Sequence, residues 1–156
     1  FHPEISDLQY LRSFKFEDLT FRGTVEFRSV CEQPVGEIMA SGALHAGLME
    51  NIGQLSEILE KDTSIYHNGY NASELRRMFN RRRKADIFDW KKVSTQLLSI
   101  LELVESGLKK RGYGEEHFLK PLYGRAEKLL SPGRQMAEGM ENGKTLEDYI
   151  EEYGGM

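Results

Sequence analysis

The spacing of apolar and polar positions changes once along the chain, near Pro34. Over residues 20–30 apolar and polar side chains alternate with a period of two, and the run is rich in aromatic and β-branched residues, so it predicts a strand. An earlier run, residues 10–16, has the same texture and predicts a partner strand across a turn near Glu17-Asp18. A lone hairpin is marginal in water, so the pair needs helices or further strands over its apolar face.

After Pro34 the period becomes helical. Ile38, Ser41, His45, Leu48, Ile52, Leu55 and Leu59 fall at alternating steps of three and four and trace one stripe along a single helix. Ala40, Gly42, Ala43, Ala46 and Gly47 add small residues that permit close packing. A polar break follows over residues 62–70, with Asn68-Gly69 as a turn signal. Asn71, with Glu74 three positions on, reads as a helix start. The next helix is predicted from about Asp89 to Lys110, because Val93, Leu97, Ile100, Leu101, Val104 and Leu108 share a face and Gly112 follows. Residues 115–130 predict another helix, with Pro121 marking its start or a kink. Ser131-Pro132 and Thr145-Leu146-Glu147-Asp148 open two short final helices. The expected fold class is α+β: an antiparallel β-hairpin over residues 1–34, then a mainly helical array over 35–156, in one domain overall.

Composition narrows the classes. A chain of 156 residues can bury roughly 68–70% of its unfolded surface, enough for one core. With 39% hydrophobic and 29% charged residues, it reads as globular rather than disordered. No apolar run approaches the roughly 18 residues of a spanning helix, so no membrane partner is expected. A net charge of −4 counts against a surface built for nucleic acid. Cys31, the single cysteine, rules out an intrachain disulfide and a multi-cysteine metal site, and points to a reducing cytoplasm. The start, Phe1-His2-Pro3-Glu4, has neither initiator Met nor leader features, and is expected to be a cut within a longer chain.

Candidate chemistry sits on the alternating run. On a strand, Arg22, Thr24, Glu26 and Arg28 project to one face while Phe21, Val25 and Phe27 project to the other. Glu26 and Arg28 would leave the backbone about 6.6 Å apart. At that spacing a carboxylate can hold Mg²⁺ through hard oxygen while the guanidinium fork takes phosphate oxygens. Ordinary polar alternation on a half-exposed strand gives the same pattern, and the spacing alone does not separate the two.

The wider string does more. Residues 10–34, ending in Thr24-Val25-Glu26-Phe27-Arg28-Ser29-Val30-Cys31-Glu32-Gln33-Pro34, closely resemble the late β-hairpin of bacterial glutamate–cysteine ligases, particularly those related to bifunctional glutathione-synthesising enzymes. Gly112-Tyr113-Gly114-Glu115-Glu116 and Thr145-Leu146-Glu147-Asp148-Tyr149-Ile150 are similar to the helical tail of that group. The resemblance implies a fragment of a glutamine-synthetase-like fold in which Glu26 binds Mg²⁺ and Arg28 contacts the phosphate leaving ATP, as both a catalytic and a nucleotide-binding group. It implies joining of the L-glutamate γ-carboxylate to the L-cysteine amine through an acyl phosphate. It also implies that further carboxylates and the substrate pockets lie on the remainder of a parent chain, so that this piece is inactive alone.

Other residues carry less. Cys31 and His45 read as packing residues, and His2, His67 and His117 lack metal-ligand spacing. Arg76, Arg77, Arg81, Arg82, Arg83 and Lys84 support a competing class, a non-catalytic helical module that binds nucleic acid or another anion, although a solvated helix end accounts for the same cluster. A third class, self-association through the apolar strand face, stays open as well.

Overall fold

The helical spacing that begins after Pro34 builds most of the structure. The computed structural model describes residues 17–19, 25–27, 33–65, 67–79 and 87–154. The chain divides into two compact units, Phe1–Cys31 and Glu32–Met156.

The fold is mainly helical, which corrects the α+β expectation and removes the N-terminal hairpin as one of its layers. In the first unit the described residues are β1 (Glu17–Leu19) and β2 (Val25–Phe27), each of three residues. They pair antiparallel in the register Glu17 with Phe27, Asp18 with Glu26 and Leu19 with Val25. Over the described residues each segment spans about 10 Å. The residues expected as a first strand, 10–16, and the rest of the alternating run lie outside the described residues. A period-two pattern is a local signal, and the long helical stripes after Pro34 decide the fold class instead.

The second unit opens with a 3-10 turn, Val35–Glu37, and continues through α1 (Met39–Glu50), α2 (Ile52–Lys61), α3 (Ala72–Phe79), α4 (Trp90–Arg111), a 3-10 turn at Glu115–Leu119, α5 (Lys120–Lys128), α6 (Pro132–Glu141) and α7 (Leu146–Gly154). The starts follow capping chemistry. Asn71 and Glu74 form a reciprocal box, with the Asn71 N–H donating to Glu74 Oε2 at 2.8 Å and the Glu74 N–H to Asn71 Oδ1 at 3.0 Å. Asp89 accepts from the N–H groups of Lys91 and Lys92, each at 3.2 Å. Ser131 caps α6, with proline in its first turn. Thr145 and Asp148 close the same kind of box at α7. Gly112, at φ 75°, ends α4 in the left-handed region that glycine enters without steric cost.

The core lies where α1 crosses α4. Ala43, Val104, Leu108 and Leu119 are buried together, with Phe118, Leu122 and Ile100 packed around them, and Val93 and Leu101 of α4 are buried as well. The predicted inner face of α4 is therefore correct. The face of α1 is not the expected stripe: Ala40, Ala43 and Gly47 turn inward, whereas Ile38 and Ile52 are exposed. The reason is a close helix crossing. A methyl built on Gly107 would overlap the Gly47 carbonyl oxygen and come within 3.0 Å of Asn51 Nδ2, and one on Gly47 would lie 2.6 Å from Val104 Cγ1. Large side chains have no room at that line.

The same crossing interrupts the predicted single helix. Asn51 is buried at the α1–α2 junction, with φ −125°. Its Nδ2 donates to the Leu103 carbonyl at 2.7 Å and to Ser106 Oγ at 2.9 Å, while Lys110 Nζ donates to its Oδ1 at 2.6 Å. Residues 115–130 also divide, into a 3-10 turn and then α5 with Pro121 in its first turn. Phe79, Phe88 and Trp90 cluster with ring centroids 5.1–5.6 Å apart and fasten the end of α3 to the start of α4.

Candidate functional site

Glu26 occupies the middle of β2, an extended stretch, with its Cα opposite that of Asp18. Arg28 lies outside the described residues, as do Arg22, Thr24 and Cys31. The relation between the Glu26 and Arg28 side chains is therefore outside them too. The competing basic cluster is similarly divided: Arg76 and Arg77 fall in α3, and residues 81–84 lie outside. Arg77 is exposed, and its Nε donates to the Ser73 carbonyl at 3.4 Å.

Two histidines serve their own local backbone. His45 Nδ1 donates to the Ser41 carbonyl at 2.7 Å, and His117 Nδ1 to the Gly114 carbonyl at 2.6 Å. Among the described residues no group of three or more His, Cys, Asp or Glu side chains could hold a metal ion. A glutamate carboxylate is a hard-oxygen ligand of the kind that Mg²⁺ takes.

Gln33, at the end of the ligase-like string, is tied down. Arg125 of α5 donates through one Nη to Gln33 Oε1 and through the other to Glu37 Oε2. One planar fork therefore anchors the segment entering α1 onto α5, and a lysine could not span both acceptors. Sequence reading missed this tie, because its partners lie 88 and 92 positions apart.

Glu105, Lys109 and Tyr123 form a second polar cluster. Tyr123 Oη donates to Glu105 Oε2 at 2.8 Å, and Lys109 Nζ donates to Oε1. The Lys109 bond, followed by that of Tyr123, holds the Glu105 carboxyl below the usual carboxylate range. Burial, then the bond to Glu105, pushes the Tyr123 hydroxyl above its usual value. The Tyr123 bond fastens α5 to α4.

A cavity of about 410 Å³ opens among α1, α3, α4, α5 and the start of α6. Leucines, Val93, Phe79 and Trp90 make most of its wall, and its charged and hydroxyl side chains are Arg125, Ser131 and Arg134. No stretch of sequence announces it, because five elements contribute. Its one local trace is the apolar pair Leu129-Leu130 placed just before the Ser131 cap.

No protein-family model, curated protein or solved structure matches the chain. Among the described residues, no helix is long and apolar enough to cross a membrane.

Proposed function

We propose that this chain is the C-terminal part of a cytoplasmic, ATP-dependent carboxylate–amine ligase that joins the γ-carboxylate of L-glutamate to the amine of L-cysteine. The observation that carries the reading is the string over residues 10–34, with Glu26 and Arg28 two positions apart inside it. The extended backbone of Val25–Phe27 supports it as far as Glu26, which the reading needs on a strand.

In this reading a glutamate γ-carboxylate oxygen attacks the γ-phosphorus of ATP and ADP leaves. The cysteine amine then attacks the acyl carbon, and phosphate departs with the oxygen that had belonged to glutamate. Charge gathers on oxygen in both steps. Arg28 binds the phosphoryl oxygens as a planar fork and stabilises that charge where it develops. Glu26 supplies one oxygen ligand for Mg²⁺, which when bound neutralises the phosphates and orients them. The other ligands and the amino-acid pockets belong to further sequence of the parent chain, so the chain alone forms no γ-glutamylcysteine.

Two variants of the parent test the assignments. Glu26→Gln raises the Mg²⁺ concentration needed for half-maximal rate. Arg28→Lys lowers kcat by about a hundredfold or more, the usual scale for losing one charge-stabilising donor set. Unchanged Mg²⁺ dependence together with near-normal turnover removes both residues from the site.

A further inference from the structure

We propose that Asn68-Gly69, in the turn between α2 and α3, is a self-modification site, at which the Gly69 amide nitrogen closes onto the Asn68 side chain and converts it to aspartate or isoaspartate. The site stands apart from the ligase reading, because neither residue belongs to the string over residues 10–34.

The chemistry balances with water alone. The Gly69 nitrogen attacks Asn68 Cγ, so that a new N–Cγ bond forms and the Cγ–Nδ2 bond breaks. The amide proton passes through water to the leaving nitrogen, which departs as ammonia. Water then opens the resulting cyclic imide at either carbonyl. One opening gives aspartate on the original main chain, and the other gives isoaspartate, with the main chain routed through the former side chain. Both products gain one negative charge. Glycine suits the ring closure, because no Cβ shields the attacking nitrogen.

The chain has two Asn-Gly pairs, Asn68-Gly69 and Asn142-Gly143, and the fold treats them differently. At the first, the Tyr70 N–H donates to Asn68 Oδ1 at 3.1 Å, so a donor already faces the oxygen on which negative charge gathers during attack. Gly69 is exposed, at φ 91°, and its N–H has no acceptor among the described residues. The leaving nitrogen is loosely held, since Asn68 Nδ2 reaches the Ser64 carbonyl only at 3.5 Å. At the second pair both reacting groups are engaged. The Gly143 N–H donates to the Met140 carbonyl at 3.2 Å, and Asn142 Nδ2 donates to the Glu138 carbonyl at 2.9 Å, which holds the side chain against α6. Position matters as well: Asn68 lies just ahead of Asn71, the cap of α3, so an isoaspartate link lengthens the main chain directly before that helix.

The full chain is held at mildly alkaline pH, folded in one sample and unfolded in guanidinium chloride in another. Peptide mass spectrometry with electron-transfer fragmentation then follows aspartate and isoaspartate at each asparagine. In the unfolded chain the two pairs are expected to react at similar rates. In the folded chain Asn68 reacts at least about tenfold faster than Asn142, the factor that breaking the ordinary hydrogen bonds of Gly143 and Asn142 imposes on a rate, and it yields both products. A smaller preference in the folded chain, no reaction at Asn68, or aspartate as its sole product overturns the site.

Discussion

Replacing Gly107 with alanine sets a gain in helix propensity against an overlap of two backbones. At an interior helix position alanine is favoured over glycine by about 1 kcal/mol. The added methyl would meet the Gly47 carbonyl oxygen, lie 3.0 Å from Asn51 Nδ2 and 3.1 Å from Glu50 Cβ. Backbone cannot yield as a flexible side chain does, so α1 and α4 must separate, at about 1–3 kcal/mol for one added carbon in a packed interior. The movement also stretches the Asn51 bonds to Leu103 and Ser106, at about 1 kcal/mol more. The net result is a loss of about 2 kcal/mol. Urea unfolding followed by circular dichroism reads it as a midpoint lowered by about 1 M. Gly42→Ala is the control: Gly42 is exposed within α1 and no heavy atom lies within 4 Å of a Cβ built there, so that variant gains about 0.5–1 kcal/mol. Should Gly107→Ala equal or exceed the wild type in stability, or shift with the same sign as Gly42→Ala, the close crossing is wrong.

Asn51→Ala leaves the buried helix junction without its bonds to Leu103, Ser106 and Lys110, and should cost about 2–3 kcal/mol in the same unfolding assay; a loss below about 0.5 kcal/mol contradicts the assigned bonds. Asp148 is held below its ordinary value of 3.8 by the Thr145 backbone N–H and then by the Thr145 hydroxyl. A depressed carboxylate contributes above its unfolded pKa and loses that contribution as pH falls through its folded value. Amide exchange across α7 should therefore accelerate as pH drops below the ordinary aspartate range, after correction for intrinsic rates, and Asp148→Asn should remove that response. An identical acid response in both proteins counts against the cap.

Local chemistry made much of the helical unit legible in the sequence. The caps at Asn71, Asp89, Ser131 and Thr145 use side chains within three residues of the amides they serve, so a linear reading finds them. The inner face of α4 is similarly plain, because one apolar stripe runs from Val93 to Leu108 along a helix of 22 residues. What stayed hidden depends on distant partners. The stripe through Ile38, His45 and Ile52 gave no hint that α1 turns its smallest residues inward, since that choice is set by Gly107 and Val104 on another helix. Asn51 owes its buried place to partners on α4, more than fifty positions away in sequence. The α+β expectation failed because alternation over residues 20–30 was extended into a layer, whereas the described pairing is three residues long on each side.

The candidate site was legible only as a string. Glu26 and Arg28 were chosen from spacing and resemblance, and Glu26 does stand in an extended stretch, yet a carboxylate two residues from a guanidinium is also ordinary strand chemistry. The cavity beside Trp90 was not legible, because its wall is assembled from five elements.

Oxygen-18 placed in the γ-carboxylate of glutamate tests the central claim most directly, with the parent protein, ATP, Mg²⁺ and cysteine present. An acyl phosphate route carries a labelled oxygen from glutamate into each phosphate released, and the Arg28→Lys variant slows that transfer. Phosphate that emerges unlabelled, or that forms without glutamate, contradicts the account.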